Sequence, residues 1–442
     1  MISQVCLCLI LLGAMPSWSQ AVPSVIEGVD VSDDDVHMRI PPPISGEAYP
    51  TKTGSETRSN YLGAEIALNT AYNDNMLAGG YVKPVRDITY SIGTSFSFDQ
   101  SSSRLHETFK YSPGFTLYQH TNILNASDQD VSLSFHYNIG AHAVISLTDS
   151  FHKMSNIFNH PFEGVPSSAQ TSTVNAVAPF ANHLSNTAGV RLRYQFSENG
   201  IIGGGGTSAL VNYRNSNDAS GLADSNSRGA VAFYSLRLPR SQYIGAEYQF
   251  SAITANSENM ESNIDLHTFF LFYTIYFEQS LSLSVSGGPQ RFKDVQSLRH
   301  LSDGSWRPTV AASISWQNRN SNLAVSYSRT VTGDGGLLGV YQSESVDVSI
   351  RWRMARSWTV GSSGSYGIQK NLHITSLAAN PGGHTVSGSA SAQHAVNDHL
   401  SMVVGYERLQ QSYRGVAAIA NAPDSNREYV SIVYQFAKLA GR

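Results

Sequence analysis

The strongest constraint in this sequence is an alternation of apolar and small polar residues with a period of two, which begins near residue 57 and continues to the C-terminus. In DITYSIGTSFSF, for example, Ile88 and Tyr90 fall on one side of an extended chain, while Thr89 and Ser91 fall on the other. Successive side chains of a β-strand point to opposite faces, so the pattern predicts strands with one apolar and one polar face. Similar segments recur along the chain: VSLSFHYNI, VRLRYQF, IGAEYQF, LSLSVSG, VAASISW, LAVSYS, VDVSIRW and VSIVYQF.

The connections between these segments alternate between short and long. Tight links such as NIGAH, SENG, LPRSQ and MARS separate longer polar stretches. The longer stretches lie near residues 73–85, 120–128, 155–184, 215–226, 256–261, 295–304, 333–342, 371–383 and 414–425. A soluble sandwich would also alternate, but short turns on one rim and long loops on the other are typical of a transmembrane barrel. The sequence therefore predicts an all-β, antiparallel, up-and-down transmembrane β-barrel of 18 strands, with 16 as the alternative.

Composition and the chain ends predict an exported protein. Charged residues make up 14% of the chain, against roughly 25% in typical soluble domains. An apolar run from Val5 to Met15 predicts a signal peptide over residues 1–21, and both cysteines, Cys6 and Cys8, lie inside it. We expect a flexible periplasmic leader over residues 22–57, the barrel over 58–437 and an overhang over 438–442. The net charge of -4 does not favour a nucleic-acid partner.

The closing strand resembles a known signature. VSIVYQF places Val430, Ile432, Tyr434 and Phe436 on one face, and this pattern is similar to the C-terminal signature of outer-membrane barrels. The resemblance implies that Tyr434 and Phe436 form the signal read by the barrel assembly machinery, and that the protein lies among outer-membrane lipid of a bacterial cell. In that family the Phe is normally the last residue, whereas here AKLAGR follows it.

The first strand region carries a second resemblance. YLGAEIALNTAYNDN, with its YNDN at Tyr72 to Asn75, resembles the opening of a family of putative β-barrel porins, some of which are associated with exopolysaccharide export. A barrel of 18 strands is wide enough for an aqueous channel, so the predicted function is passive passage of small polar solutes or glycan material. The alternative is a surface-exposed structural or polysaccharide-binding barrel with a blocked lumen.

No catalytic, cofactor or metal motif stands out, so the sequence predicts neither an enzyme nor a bound cofactor. Ser134 and His136 could imitate a catalytic pair, but chance placement on a Ser-rich strand is favoured. The glycines of IIGGGG at residues 201–206 are interpreted as relieving crowding in a barrel strand.

The candidate functional residues are charges that strand parity places on the lumen face. In a wetted pore such charges set the field that a solute meets, although they could equally pair across strands and stabilise the wall. By the same parity, Arg214 and His267 also point inward. The loop from Ser155 to Ser185 is expected either to fold inward and constrict the channel or to cap the surface. The lumen charge candidates are Glu65, Lys110, Arg191, Arg193, Arg237, Glu247, Asp265, Asp347, Arg351, Arg353 and Glu407.

Overall fold

The computed structural model contains one closed sheet of 18 antiparallel strands. It describes residues 61–75, 84–102, 104–121, 125–155, 182–213, 222–257, 260–277, 280–296, 301–318, 320–333, 337–372, 382–414 and 424–439. The predicted signal peptide and leader lie outside these residues. Within them, no helix has the length and apolar character needed to cross a membrane. The strands are β1 (Tyr61–Asn73), β2 (Asp87–Ser101), β3 (Leu105–Tyr118), β4 (Ala126–Asn138), β5 (Ala143–Met154), β6 (His183–Gln195), β7 (Gly200–Tyr213), β8 (Asp224–Leu238), β9 (Gln242–Ser257), β10 (Met260–Tyr276), β11 (Leu281–Gln296), β12 (Leu301–Gln317), β13 (Ser321–Thr332), β14 (Tyr341–Arg353), β15 (Trp358–Asn371), β16 (Gly382–Ala395), β17 (Leu400–Arg414) and β18 (Asp424–Leu439).

Each strand pairs with its neighbours in sequence, and β1 pairs with β18 to close the barrel. This confirms the predicted count of 18 and excludes 16. Ile66 lies opposite Tyr434, and the pairing runs from Tyr61 opposite Leu439 to Asn73 opposite Arg427. We call this β1–β18 pairing the seam. Because β18 extends to Leu439, the expected overhang begins inside the strand.

The YNDN segment clamps the seam at the long-loop rim. The Asp74 carboxylate accepts hydrogen bonds from the Asn426 backbone N–H at 2.8 Å and from the Asn426 side-chain amide at 2.7 Å. The Asn75 side-chain amide donates to the carbonyl of Asp424 at 3.0 Å, and the Ser425 hydroxyl donates to Asn73 Oδ1 at 3.1 Å. The segment that suggested a family resemblance therefore joins strands that lie some 350 residues apart in sequence.

The two faces of the wall differ as the alternation predicts. Large apolar side chains cover the outward face, and about half of the surface of Leu68, Ile92 and Phe436 is exposed. The inward face is rich in hydroxyls and amides, such as the buried Ser95 and Ser431. A closed wall of 18 strands encloses a lumen too wide to be filled by the wall's own side chains.

Strands β9 to β12, with 16 or 17 residues each, are among the longest of the wall and depart from the predicted connections. β9 and β10 are separated only by residues 258 and 259, and β11 and β12 only by residues 297–300. The expected long loops near 256–261 and 295–304 are therefore mostly strand. The exposed Asn256 and Glu261 belong to the ends of β9 and β10, so their polarity does not mark a loop.

The wall is interrupted between β12 and β13. Their pairing begins at Gln317 opposite Asn322 and stops at Val310 opposite Arg329, although β12 continues to Leu301 and stays paired with β11 throughout. Among the described residues, the β13-facing edge of β12 from Leu301 to Thr309 has no strand partner. We call this pairing the β12–β13 junction.

Beyond the junction, the ends of β13 and β14 fold into the barrel. Val331 and Val340 pack with Ile264 and Phe292, which lie on the inward faces of β10 and β11. The cluster also contains Ile253 and Leu266, and all its members are nearly fully buried. We call the described residues 330–333 and 337–343 the inner arm. The sequence predicted a polar loop over 333–342, whereas the described part of this segment is a buried inner layer.

Candidate functional site in the lumen

Ten of the eleven lumen charge candidates lie on the inward face. Glu65 is opposite Ser95 and Gln435, and Lys110 is opposite Ser97 and Ser132, so their side chains share a face with these inward hydroxyls and amides. The other strands follow the same parity. The ten residues are Glu65, Lys110, Arg191, Arg193, Arg237, Glu247, Asp347, Arg351, Arg353 and Glu407.

Asp265 and His267 face outward, which corrects the expectation for both. Asp265 is opposite Ala252 and Lys293, and His267 accepts or donates a 2.8 Å hydrogen bond to the hydroxyl of Tyr248 on the outward face of β9. The prediction is wrong here because it assumes that the apolar face of every strand points outward. In the outer half of β10 the apolar residues Ile264 and Leu266 instead face inward and pack against the inner arm.

Cationic side chains gather at the short-turn end of the lumen. Arg193 lies two residues before the end of β6, Arg237 is the next-to-last residue of β8, and Arg353 is the last residue of β14. These three strands all end at the rim of the short turns. Arg191 and Arg351 follow one step further into the barrel on the same faces. Guanidinium groups from three strands, β6, β8 and β14, therefore face the lumen near its short-turn end.

Glu247 opposes this positive charge on one side of the lumen. Its carboxylate interacts electrostatically with Arg191 and accepts a hydrogen bond from the Gln249 side chain. The Arg191 guanidinium lies 5.9 Å from the ring centroid of Phe233, within the range of a cation–π contact. A Cβ on Gly203 would approach the same ring to 2.4 Å. This glycine of IIGGGG thus makes room for the ring that supports Arg191.

Glu407 is paired across strands and contributes little to the lumen field. Its carboxylate lies 3.1 Å from the Arg427 guanidinium, and the two side chains expose only 12% and 5% of their surfaces. Arg427 also lies 5.6 Å from the ring centroid of Tyr429. For this candidate the structure favours the wall-stabilising alternative over a role in solute passage.

Asp347 is intermediate between the lumen-lining arginines and Glu407, which is paired within the wall. Its carboxylate accepts hydrogen bonds from Ser326 and Ser345 on the inward faces of β13 and β14. Two residues further along β14 on the same face come Ser349 and then Arg351. The β14 segment therefore presents both signs of charge to the lumen, with the cations nearer the short turns.

The Ser134 and His136 pair is part of the wall. His136 Nε2 lies 2.8 Å from the Ser134 hydroxyl, and its Nδ1 lies 2.9 Å from the Ser146 hydroxyl on β5. The ring thus links hydroxyls of two neighbouring strands. No group of three or more His, Cys, Asp or Glu residues that could hold a metal ion occurs in the part of the chain that the structure describes.

Among the described residues, the inner arm is a segment that lies inside the barrel. Residues 156–181 of the expected constriction loop, and Arg214, lie outside the described residues. The sequence analysis missed the inner arm although a signal exists: the connection GDGGLLGVY contains apolar residues, of which Leu337 and Val340 are buried. Apolar side chains in a connection indicate that it packs against something.

The residues of the expected assembly signal lie together on the outward face of β18. The rings of Tyr434 and Phe436 are 4.4 Å apart between centroids in an edge arrangement. Both side chains are exposed. They are close to the short-turn rim, where Tyr434 also lies opposite Leu400 at the start of β17.

Comparison with known proteins identifies no family for this chain. No protein-family model matches the chain, and no curated protein matches its sequence. Among solved structures, Pseudomonas aeruginosa OccK2 (OpdF) is 11% identical with a TM-score of 0.43, covering 86% of this chain and 98% of its own. Acinetobacter baumannii OccAB4 is 10% identical with a TM-score of 0.42, covering 88% and 100%. The ferric citrate transporter FecA is 9% identical with a TM-score of 0.42, covering 86% and 79%. At these values the fold rests on the strand pairing of this chain itself.

Proposed function

We propose that this protein lies in the outer membrane of a bacterial cell and passes small polar solutes or glycan material through its lumen by diffusion. The observation that carries the proposal is the division of a closed wall into two faces. Its outward face bears exposed aliphatic and aromatic side chains such as Leu271 and Trp352, and its inward face bears hydroxyls, amides and charges. In water so much exposed apolar surface would drive aggregation, whereas in a bilayer it is solvated by lipid.

The charge distribution supports passage of anionic solutes in preference to cationic ones. The guanidinium groups of Arg191, Arg193, Arg237, Arg351 and Arg353 line the lumen near the short-turn mouth. Charges of one sign that line a water-filled lumen raise the local concentration of the opposite ion. Glu247 beside Arg191 moderates this field on one side and would orient dipolar solutes.

A recording in planar bilayers tests the channel. We expect stepwise ohmic conductance from the purified, folded barrel, and a reversal potential in a salt gradient that shows anion preference. Arg191→Gln with Arg193→Gln should reduce the preference without loss of conductance, and the outward-facing Arg329→Gln serves as the matched control. Consistent absence of conductance from protein that shows heat-modifiable mobility on gels would overturn the channel proposal.

A second candidate function is a surface-exposed structural or polysaccharide-binding barrel with a blocked lumen. The inner arm favours it, because a layer of the chain packed inside the wall reduces the open cross-section. Liposome swelling with sugars of graded size separates the two functions. Uptake that falls with solute size supports an open pore, whereas no uptake of the smallest sugar together with retention on a polysaccharide column supports the blocked barrel.

A further inference from the structure

We propose that the inner arm is the size-determining constriction of the pore, and that Pro308 and Gln290 hold it inside the barrel. The inference rests on the proposed channel function and adds to it the element that narrows the lumen. The backbone hydrogen-bond donors along β11, β12 and β13 determine where the arm lies.

Pro308 removes a donor from the edge of β12 that faces β13. Along β12, Gln317 N–H donates to Ser280 on the β11 side, and the next residue, Asn318, donates to Ser321 on the β13 side. Backbone N–H groups alternate between the two edges of a strand, so even-numbered residues of β12 face β13. Pro308 therefore lacks its N–H on the β13 side.

The partner residue of Pro308 in a continuous wall would be Val331. The junction pairs Val310 with Arg329, and extending this register by two residues brings Pro308 opposite Val331. The Val331 carbonyl would then have no donor from β12. The pairing ends before this point, which agrees with the missing donor as its cause.

Gln290 supplies the donor that Pro308 lacks and also accepts a bond from Val331. Its side-chain Nε2 donates to the Val331 carbonyl at 2.9 Å, and its Oε1 accepts from the Val331 N–H at 2.7 Å. Gln290 is on the inward face of β11 and is 3% exposed. The Gln290 side-chain amide thus takes the place of a strand partner for Val331 and holds the arm against the inward face of the wall.

Packing fixes the rest of the arm. Val331 and Val340 complete the apolar cluster with Ile253, Ile264 and Phe292. A Cβ on Gly333 would come within 2.3 Å of Ile264 Cδ1, so the backbone lies directly on the β10 face. The wall and the arm compete for the same stretch of chain. If β13 zipped onto the free edge of β12, these apolar contacts would be lost and the lumen would widen.

A second proline provides a matched control. Pro289 lies opposite Pro308 in the β11–β12 pairing. Two residues that both lack an N–H are compatible with a non-hydrogen-bonded pair, so the missing donor of Pro289 faces β10. The β10–β11 pairing lapses there without a shift of register, between Thr268 opposite Gln290 and Leu271 opposite Gly287. Restoring a donor at Pro289 leaves the edge that faces β13 unchanged.

The test compares single-channel conductance of Pro308→Thr, Gln290→Ala and the double variant with that of Pro289→Thr. The first change restores the donor on the free edge, and the second removes the anchor. We expect conductance to rise about twofold in the double variant, by less in each single variant, and not at all in Pro289→Thr, because conductance follows the open cross-section. Equal conductance in all four variants and the original protein would overturn the assignment of the constriction.

A cysteine pair reports the arm position without any conductance. Residues 307 and 332 would be opposite in a continuous wall, and the mature chain has no cysteine of its own by the predicted signal cleavage. Arg307→Cys with Thr332→Cys should remain reduced under mild oxidation in the original background and form a disulfide when Pro308→Thr and Gln290→Ala are added. A disulfide in both backgrounds, or in neither, would refute the two-position arm. If the original protein conducts nothing while this crosslink behaves as expected, the channel proposal fails and the arm assignment stands.

Discussion

The seam and the β12–β13 junction differ in opposite ways in how far apart their strands are in sequence and how completely they pair. At the seam, β1 and β18 pair along the whole length of β1, although the residues joined there are some 350 positions apart. At the β12–β13 junction only residues 318–320 separate the two strands in sequence, and yet their pairing stops at Val310 opposite Arg329.

The difference shows that local chemistry, and not proximity in sequence, decides how far two strands pair. The seam has a donor or acceptor for each step and ends in the Asp74 clamp. The junction meets Pro308, which lacks the donor, and faces a competing partner in Gln290. The wall thus keeps all 18 strands although the ends of two of them, β13 and β14, lie inside the barrel.

Loss of the outward aromatic at the end of the seam should have the largest effect. Phe436 lies opposite Ala64 and contacts Tyr434. If the assembly machinery reads this face, Phe436→Ala should remove most of the folded protein from the outer membrane, measured by heat-modifiable mobility in membrane fractions. Phe96→Ala, an exposed aromatic on β2, is the control. Normal membrane levels of Phe436→Ala would contradict the role assigned to the C-terminal strand.

A large loss of stability is expected from Glu407→Gln beside the seam. The change removes the carboxylate charge that lies 3.1 Å from the buried Arg427 guanidinium. Breaking a buried pair in this way costs about 3 kcal/mol in the free energy of unfolding, to be measured by urea titration of the folded barrel in detergent. The double variant Glu407→Leu with Arg427→Met should recover most of the loss, because no charge is then buried alone. If Glu407→Gln unfolds at the same urea concentration as the original protein, the pair does not stabilise the wall.

A smaller loss should follow from Asp74→Ala in the clamp. The carboxylate accepts two hydrogen bonds from Asn426, and removing a charged acceptor costs about 2 kcal/mol. The same urea titration measures it. Asp398→Ala, in the exposed turn before β17, should change the midpoint little. Equal effects of the two substitutions would show that the clamp adds nothing specific to closure.

The smallest effect is expected at the junction. Thr309→Val removes the hydroxyl that donates to the Arg329 carbonyl at 2.8 Å where the pairing ends. The loss should be about 1 kcal/mol, below that of Asp74→Ala, because the strand ends on either side are held by other contacts. A larger loss at Thr309 than at Asp74 would reverse the ranking of the two boundaries.

Strand number, parity and closure could be predicted because they follow from the alternation and from the lengths of the connections. The placement of Asp265 and His267 could not, because the alternation indicates which residues share a face but not which face is inward. In most strands the apolar face is outward, but Ile264 and Leu266 have an apolar partner inside the barrel. Pro289 and Pro308 were visible in the sequence, but their meaning depends on the register that places them opposite each other.

The Asp74 clamp also bears on how the barrel forms. Bringing Asp74 to Asn426 closes a loop of some 350 residues, and the chain entropy lost in doing so is about 5 kcal/mol beyond that of the shortest contacts. Until that contact forms, β1 and β18 both present open strand edges that can pair with other chains. Closure of the seam is therefore both the slowest step expected of this topology and the step that ends its exposure to aggregation.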